Sequence, residues 1–183
     1  MPMLTNIDGE MLRMAMRQVP SAVTVVTVAE EDEMRGITIG SLTSVSLDPP
    51  LISFNVGYEA QSHDILVHAE RFAVHVLSDE QGYLSEHFAI PDRTSEEQFG
   101  TIAYRIDPYG TPILEDVLAV FHCAHYTVYP AGDHSLLLGE VLAIEKGAEG
   151  TPLVYFNRSY RSVGGEVDSN VVVPVKRVSN PSP

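Results

Sequence analysis

Small and hydroxyl-bearing side chains are concentrated between residues 36 and 46. A strand that only fills a core carries large apolar side chains, whereas this segment carries small or polar side chains on both faces. Glycine inside a strand lowers stability and often marks the close approach of a ligand or of another backbone. The pattern fits a strand that contacts a ligand, and it fits equally a half-buried edge hairpin whose hydroxyls face water. The residues concerned are Gly36, Thr38, Gly40, Ser41, Thr43, Ser44 and Ser46.

A second candidate for chemistry is the His122-Cys123-Ala124-His125 segment, which has the residue types of a metal site. The surrounding sequence predicts a strand, and residues three apart on a strand point to opposite faces. The two histidines are therefore not expected to chelate one ion, and no metal site is predicted. Glycine-rich dinucleotide and phosphate-loop patterns and the G-x-S-x-G elbow of serine hydrolases do not occur in the chain.

Two predicted strands position the hydroxyl-rich segment. Their bounds are Gly36–Thr43 and Leu51–Val56, and both are rich in β-branched residues. A rigid Asp48-Pro49-Pro50 corner is expected to join them.

The remaining sequence predicts short helices and strands separated by turns. A helix is predicted over Asp8–Val19, capped by Asp8, with its methionine-rich face in the core; a subunit contact is the alternative. Ser62 is predicted to cap a helix that ends at about Ala69, and Ser78 to Gln81 form a capping box for a helix that ends near Phe88. Residues 90–110 are expected to form an irregular surface segment. Further strands are predicted at 22–29, 72–77, 117–129, 136–145 and 153–156.

Composition limits the partners that the chain can bind. Its 183 residues, 44% of them hydrophobic, fit one domain with a sizeable core. The formal charge of −14 argues against nucleic acid and anionic membrane surfaces as partners, and an anionic ligand would need local donors. No apolar run approaches a transmembrane length, and the first ten residues lack a signal-peptide pattern. Together with a single cysteine, these features predict a cytoplasmic location.

Three separated motifs, in the same order, resemble the short-chain flavin reductase family, the small reductase components of two-component flavin monooxygenases. The first is GITIGSLTSVSLDPPL at residues 36–51, and the resemblance extends from about residue 14 to residue 161. Gly40 departs from the family pattern, where this position is commonly Asn or another small polar residue. The other motifs are Gly132-Asp133-His134 followed by Gly139-Glu140-Val141, and Leu153-Val154-Tyr155-Phe156 followed by Tyr160-Arg161.

The resemblance implies a mainly β fold, a Greek-key antiparallel split β-barrel of the FMN-binding type with a few flanking helices. Strand count and short turns also suggest a closed antiparallel barrel. The barrel domain is expected to span residues 1–161, and residues 162–183 are expected to form an extended C-terminal tail. The family resemblance further implies a homodimer with flavin at the subunit interface.

The implied activity is hydride transfer from NADH or NADPH to FMN or FAD, which supplies reduced flavin to a partner monooxygenase. Stacking of two bound rings is the main requirement of this reaction, and no acid–base pair stands out in the sequence. By resemblance, the flavin ring and its ribityl chain contact the following residues: Thr38, Ile39, Gly40, Ser41, Leu42, Thr43, Ser44, Ser53, Phe54, Asn55 and Val56.

The resemblance assigns the flavin phosphate to Ser62 and His63, at a predicted helix start that offers free backbone N–H groups. The family usually has a basic residue just before this serine, and the chain has none. Weak flavin binding is therefore expected, with the flavin acting as a diffusible substrate. His87 and Phe88 are expected near the flavin, although a histidine at a helix C-terminus also complements the helix dipole.

His134 is the predicted catalytic residue, placed by resemblance at the nicotinamide pocket with Tyr155, Arg158 and Tyr160. The alternative is that Asp133 and His134 only shape the hairpin turn. Two other functions use the same barrel. One is a flavin-binding protein without reductase activity, and the other is a pyridoxamine-phosphate-oxidase-like enzyme, whose basic phosphate-binding residues are not evident here.

Overall fold

The computed structural model describes residues 6–31 and 33–166. In this part of the chain the α-helices are α1 (Gly9–Met16), α2 (His63–His68), α3 (Gly82–Phe88) and α4 (Ser95–Phe99), with a 3-10 helix, Asp79–Gln81, before α3. The strands are β1 (Ser21–Ala22), β2 (Thr24–Glu30), β3 (Glu33–Ile39), β4 (Thr43–Leu47), β5 (Pro50–Gly57), β6 (Arg71–Val76), β7 (Tyr104–Ile106), β8 (Pro112–Leu114), β9 (Ala119–Ala131), β10 (His134–Lys146), β11 (Leu153–Phe156) and β12 (Ser159–Ser162).

Seven strands form the main sheet, in the order β3-β2-β6-β9-β10-β5-β4, and all neighbouring strands are antiparallel. The strand β6 enters between β2 and β9, so the connections follow a Greek-key path. Strands β3 and β5 also contact each other, which brings the two sides of the curved sheet together. The predicted split barrel is confirmed, and β1, β11 and β12 form a small sheet beside it.

Two apolar clusters stabilise this arrangement, one on each face of the main sheet. The first lies inside the barrel and includes Phe54 and Phe72, whose rings meet edge to face at 5.5 Å between centroids. The second lies under α3 and α4 and includes Phe88 and Phe99. Burial of each such side chain contributes about 1.5–3 kcal/mol, so the helices are held by their apolar faces.

The sequence predicted one strand over Gly36–Thr43, but the structure divides this hydroxyl-rich segment between two strands. The strand β3 ends at Ile39, and β4 begins at Thr43. Residues 40–42 connect the two ends of the sheet, and the Ser41 hydroxyl accepts a hydrogen bond from the Asn55 N–H at 2.9 Å. The Asp48-Pro49-Pro50 corner is confirmed, since Leu47 pairs with Pro50 across the turn.

The first helix is capped as predicted, because the Met11 N–H donates to Asp8 Oδ1 at 2.8 Å. The helix ends at Met16 instead of Val19, and none of its residues is buried. The expectation that its methionine-rich face packs in the core is therefore wrong. An apolar stripe fixes the face that avoids water but does not identify the partner that covers it.

Residues 90–110 are irregular only in part, because two short regular elements interrupt the predicted surface segment. Thr94 and Glu97 form a capping box that opens α4, with the Thr94 N–H donating to Glu97 Oε2 at 2.8 Å and the Glu97 N–H donating to Thr94 Oγ1 at 3.2 Å. Phe99, at the end of α4, is only 2% exposed, and residues 104–106 form β7. The T-x-x-E pattern was the sequence signal for this helix.

The other predicted turns and strands agree with the structure to within a few residues. The long hairpin of β9 and β10 turns at Gly132 and Asp133, and Gly132 has the positive φ of 68° that favours glycine. No helix in the described part of the chain is long and apolar enough to span a membrane. The tail beyond Glu166 lies outside the described residues, and the proposed domain boundary at residue 161 stays a prediction.

Candidate functional site

Three cavities follow one another along β3. The first, about 240 Å³, lies between β3, the loop before α2 and the loop after α3. The second, also about 240 Å³, shares Thr38 and Ala89 with the first. The third, about 680 Å³, shares Ser21, Gly40 and Tyr155 with the second. The third cavity lies within the range of about 300–1,000 Å³ that is usual for ligand sites.

The three cavities bring together many of the predicted site residues. Gly40 lies at the centre, and a Cβ added there would be only 3.0 Å from Ser21 Oγ, so a small residue fits this position. Tyr155 is 42% exposed and meets the Tyr160 ring edge to face at 5.5 Å. An exposed aromatic ring beside a stretch of small residues is a suitable surface for a flat ligand. The predicted residues that line the cavities are Thr38, Ile39, Gly40, Ser41, Leu42, Thr43, Ser62, Phe88, Tyr155, Arg158 and Tyr160.

Several hydroxyls of the segment already have partners within the protein. Thr38 Oγ1 donates to the Ser85 carbonyl oxygen at 2.7 Å, which fastens β3 to α3. Ser85 Oγ in turn shares a hydrogen bond with the Tyr160 hydroxyl at 2.8 Å. The hydroxyl of Ser41 accepts from the backbone, as described above. These groups therefore shape the cavity walls.

Other predicted site residues have side chains in the core. Phe54 is 0% exposed, Val56 is 1% exposed and Ile39 is 5% exposed, and all three belong to the inner cluster. Phe88 belongs to the cluster under α3. Phe54 and Val56 form part of the barrel core, and neither residue offers exposed surface to a ligand in the described chain. Ser53, Asn55 and Ser44 do not line any of the three cavities.

Ser62 lies at the start of α2 and lines the first cavity, but its side chain makes no capping hydrogen bond, which corrects the sequence prediction. Its backbone is helical, so the hydroxyl does not take the position of a capping oxygen. His63 bridges two neighbours, with Nδ1 at 2.9 Å from Asp64 Oδ1 and Nε2 at 2.9 Å from Ser135 Oγ. His63 is held in place, but it does not line the first cavity.

His87 is also committed to contacts within the protein. Its Nε2 lies 2.7 Å from the Gln98 carbonyl oxygen, and Arg93 approaches its Nδ1 at 2.8 Å. The nitrogen that faces a carbonyl must donate, so the nitrogen that faces the guanidinium accepts. Neither His87 nor Arg93 lines the three cavities, and both serve mainly to fix the loop that follows α3.

His134 begins β10, and its Nδ1 lies 2.6 Å from Asp133 Oδ1. The hydrogen bond from His134 lowers the pKa of the Asp133 carboxyl, with a smaller contribution from the positive charge of Arg13. His134 does not line the cavities that contain Tyr155 and Tyr160. A single described chain therefore does not bring the predicted catalytic histidine together with the predicted nicotinamide residues.

Two residues that the sequence analysis missed line the third cavity. Arg13 lies on α1, and Arg17 follows the end of this helix. Residues four apart on a helix share a face, so the spacing of Arg13 and Arg17 in the sequence indicates two positive charges on the same side of this helix. Within residues 6–31 and 33–166, no group of three or more His, Cys, Asp or Glu side chains could hold a metal ion, and the absence of a metal site stays a prediction.

The sequence and the fold match known flavin reductases. Residues 16–164 match the model of the flavin reductase like domain. The chain is 36% identical over 155 residues to a flavin reductase of Pseudomonas putida, covering 84% of this chain and 89% of that protein. It is also 36% identical over 152 residues to the reductase component of 4-hydroxyphenylacetate 3-monooxygenase of Thermus thermophilus, covering 83% of this chain and 95% of that protein.

A solved structure agrees with these sequence matches. The NADH:FAD oxidoreductase of Streptomyces globisporus, in complex with NAD and FAD fragments, superposes with a TM-score of 0.80 at 33% identity and covers 90% of this chain and 99% of that chain. Fold, motif order and matched length therefore agree, and this chain belongs to the flavin reductase like domain family.

Proposed function

We propose that this protein is an NAD(P)H-dependent flavin reductase that passes a hydride from NADH or NADPH to FMN or FAD. The observation that carries the proposal is the series of cavities along β3, where the exposed Tyr155 lines the same cavity as the small residues Gly40 and Ser41. Relatives that share this fold are named as reductases of FMN or FAD. A bound flavin supplies the electron-acceptor chemistry, accepting the hydride at N5.

The residues that line the cavities fit a flavin in shape and in chemistry. The side chains at positions 40–43 are no larger than leucine, and Gly40 leaves space that a larger residue would occupy. The Thr38–Ser85 and Ser85–Tyr160 hydrogen bonds hold the cavity walls in a fixed position before a ligand arrives. The role of these residues is to orient two rings, which lowers the entropic cost of the transfer, and no side chain needs to act as an acid or base.

The protein is also proposed to act as a homodimer. Met11 and Leu12 of α1 are 45% and 57% exposed, and Leu47 on the edge strand β4 is 89% exposed. Apolar surface of this extent on a helix and on an edge strand favours coverage by another chain. The cavities of one subunit are not lined by its own His134, and the second subunit of a dimer would supply this side chain. The catalytic role of His134 is part of this proposal.

The partner of the reaction is proposed to be a flavin-dependent monooxygenase that uses the reduced flavin. The name of the Thermus thermophilus relative, a monooxygenase reductase component, supports this assignment. The proposed location is the cytoplasm. The second candidate function, flavin binding without reduction, is favoured by the separation of His134 from Tyr155 in one chain.

A steady-state assay separates the two candidates. Purified protein is mixed aerobically with NADH or NADPH and with free FMN or FAD, and oxidation of the nicotinamide is followed by its absorbance. The reductase proposal predicts flavin-dependent oxidation that saturates in both substrates. Tight flavin binding without oxidation of either nicotinamide would instead support the non-catalytic protein.

A further inference from the structure

Three arginines from two separate parts of the chain line the third cavity. Arg13 and Arg17 approach it from α1 and the residue after that helix, and Arg158 approaches from the turn between β11 and β12. Among the described residues that line this cavity, none is Asp or Glu. The chain has 25 acidic residues against 11 lysines and arginines, so this lining is the reverse of its overall composition.

Cations in the other cavities are balanced by carboxylates. Beside Ser62, the lining combines Arg35 with Glu59 and Asp92, and Arg35 also pairs with Glu33. In the cavity of about 370 Å³ near Tyr109, the Arg105–Glu145 ion pair has an N–O distance of 2.5 Å, and the Arg71 guanidinium lies 3.9 Å from the centre of the Tyr109 ring.

Arg13, Arg17 and Arg158 form no ion pair with residues 6–31 or 33–166. The positive charge of Arg13 contributes to the lowered pKa of Asp133. This carboxylate does not line the cavity, however, and it is hydrogen-bonded to His134. The three guanidinium groups therefore create a local positive potential in an acidic protein, and such a potential attracts an anionic ligand.

The backbone of the β11–β12 turn holds Arg158 beside α1. Asn157 and Arg158 have φ values of 47° and 64°, in the left-handed region that non-glycine residues seldom adopt. The Asn157 N–H donates to the Arg17 carbonyl oxygen at 3.1 Å. Two elements that are distant in sequence are thus joined at the rim of the cavity.

We infer that Arg13, Arg17 and Arg158 recognise the phosphate or pyrophosphate of a nucleotide whose ring lies against Gly40 and Tyr155. A guanidinium group is always charged and presents a planar fork of donors that matches two phosphate oxygens. The inference rests on the proposed function, since both substrates of a flavin reductase carry such groups. It assigns an anion site at the end of the cavity series opposite to Ser62, where the sequence resemblance had placed the flavin phosphate.

Flavins with and without a phosphate test the inference directly. Dissociation constants of FMN and riboflavin are measured by quenching of flavin fluorescence for the wild type, for the Arg13→Gln, Arg158→Gln double variant, and for Arg161→Gln as a control. Arg161 is an exposed arginine on the neighbouring strand β12 that does not line the cavity. If the flavin phosphate is the ligand, the double variant raises the dissociation constant of FMN about 10-fold or more and changes that of riboflavin less than about 2-fold.

A second arm tests the nicotinamide nucleotide as the source of the phosphate. The KM of NADH is compared with that of 1-benzyl-1,4-dihydronicotinamide, a hydride donor without phosphate. If the pyrophosphate of the dinucleotide is the ligand, the double variant raises the KM of NADH alone, and Arg158→Lys, which keeps the charge but loses the planar fork, raises this KM less than Arg158→Gln does. The control variant Arg161→Gln leaves both constants unchanged.

The possible outcomes separate the inference from the proposed function. Unchanged FMN and NADH constants in the double variant, or equal losses for the phosphate-free compounds, overturn the arginine site even when the wild type is an active reductase. Conversely, a wild type that binds FMN through these arginines but oxidises no nicotinamide supports the anion site and contradicts the reductase proposal.

Discussion

Gly36 on β3 lies directly against the ring of Phe88 at the end of α3. A Cβ added to Gly36 would be 2.4 Å from Phe88 Cδ1 and 2.5 Å from Cε1. The ring is 2% exposed and packs on Phe99 with 5.5 Å between the ring centroids. The first glycine of the hydroxyl-rich segment is therefore required by helix–sheet packing as well as by any ligand in the adjacent cavity.

Replacing Gly36 by alanine should lower the free energy of unfolding by about 1–3 kcal/mol, because the added methyl group forces the buried Phe88 ring to move. Urea denaturation of the purified variant measures this loss. Gly9→Ala is the matched control, since a Cβ at Gly9 meets no atom within 4 Å and alanine favours a helix. A Gly36→Ala protein as stable as the control would show that α3 shifts without cost.

The sequence predicted the strands of this fold better than the surroundings of its side chains. Runs of β-branched and other apolar residues between turns placed β2, β5, β6, β9, β10 and β11 close to their observed bounds. The break at Gly40 was not predicted, because β-branched residues continue on both sides of it and the cause, contact with the distant Asn55 and Ser21, is tertiary.

The same limit applies to the candidate site. Residues 38–43, which the motif predicted to contact flavin, line two of the cavities, and their contact with a ligand stays a prediction. Sequence spacing could not show that the Thr38 hydroxyl would donate to the Ser85 carbonyl oxygen, or that the Asn157 N–H would donate to the Arg17 carbonyl oxygen. Such pairings depend on how the small β11–β12 sheet packs against the end of α1.

The two neighbours Thr43 and Ser44 should respond differently to an increase in size. Thr43 lines the largest cavity of the site, whereas Ser44 does not, although both were predicted to contact flavin. Thr43→Leu should raise the flavin dissociation constant about 10-fold with little change in thermal stability, because exposed sites tolerate substitution. Ser44→Leu, measured in the same fluorescence titration, should bind nearly as the wild type does. The opposite order of effects would place the flavin on the other face of β4.

His134 should affect the nicotinamide more than the flavin. If it helps position the second ring to arrive, His134→Ala should raise the KM of NADH about 10-fold and leave the flavin dissociation constant within about 2-fold of wild type. Asp133→Asn should show a weaker effect in the same direction, since Asp133 holds His134 Nδ1 at 2.6 Å. Equal losses for both substrates, or no loss for either, would remove His134 from the nicotinamide pocket.

The buried His75 should make the folded core less stable at acid pH. It is fully buried, with Nδ1 at 3.0 Å from the Val25 carbonyl oxygen and Nε2 at 3.1 Å from the Leu114 N–H. Because the Leu114 N–H must donate, Nε2 accepts and the ring is neutral. Burial lowers the pKa of His75 from the ordinary value of 6.5 to about 4.

Since the folded-state pKa lies below the unfolded value, the unfolded chain binds the extra proton first as pH falls. The contribution of His75 to stability should be complete above pH 6.5 and should fall between pH 6.5 and pH 4, by roughly 3 kcal/mol in total. Urea midpoints of the wild type and His75→Gln across this range measure the difference. Parallel pH profiles for the two proteins would show that another group controls the acid response.

The central claim, that this barrel transfers a hydride from nicotinamide to flavin, is tested most directly by anaerobic rapid mixing of the protein and FMN or FAD with NADH or NADPH. The account predicts that the absorbance of oxidised flavin disappears with one nicotinamide consumed per flavin, and that Thr43→Leu slows this loss while Ser44→Leu does not. Flavin that stays oxidised in the wild type with each combination of flavin and nicotinamide, although it is bound, would contradict the account.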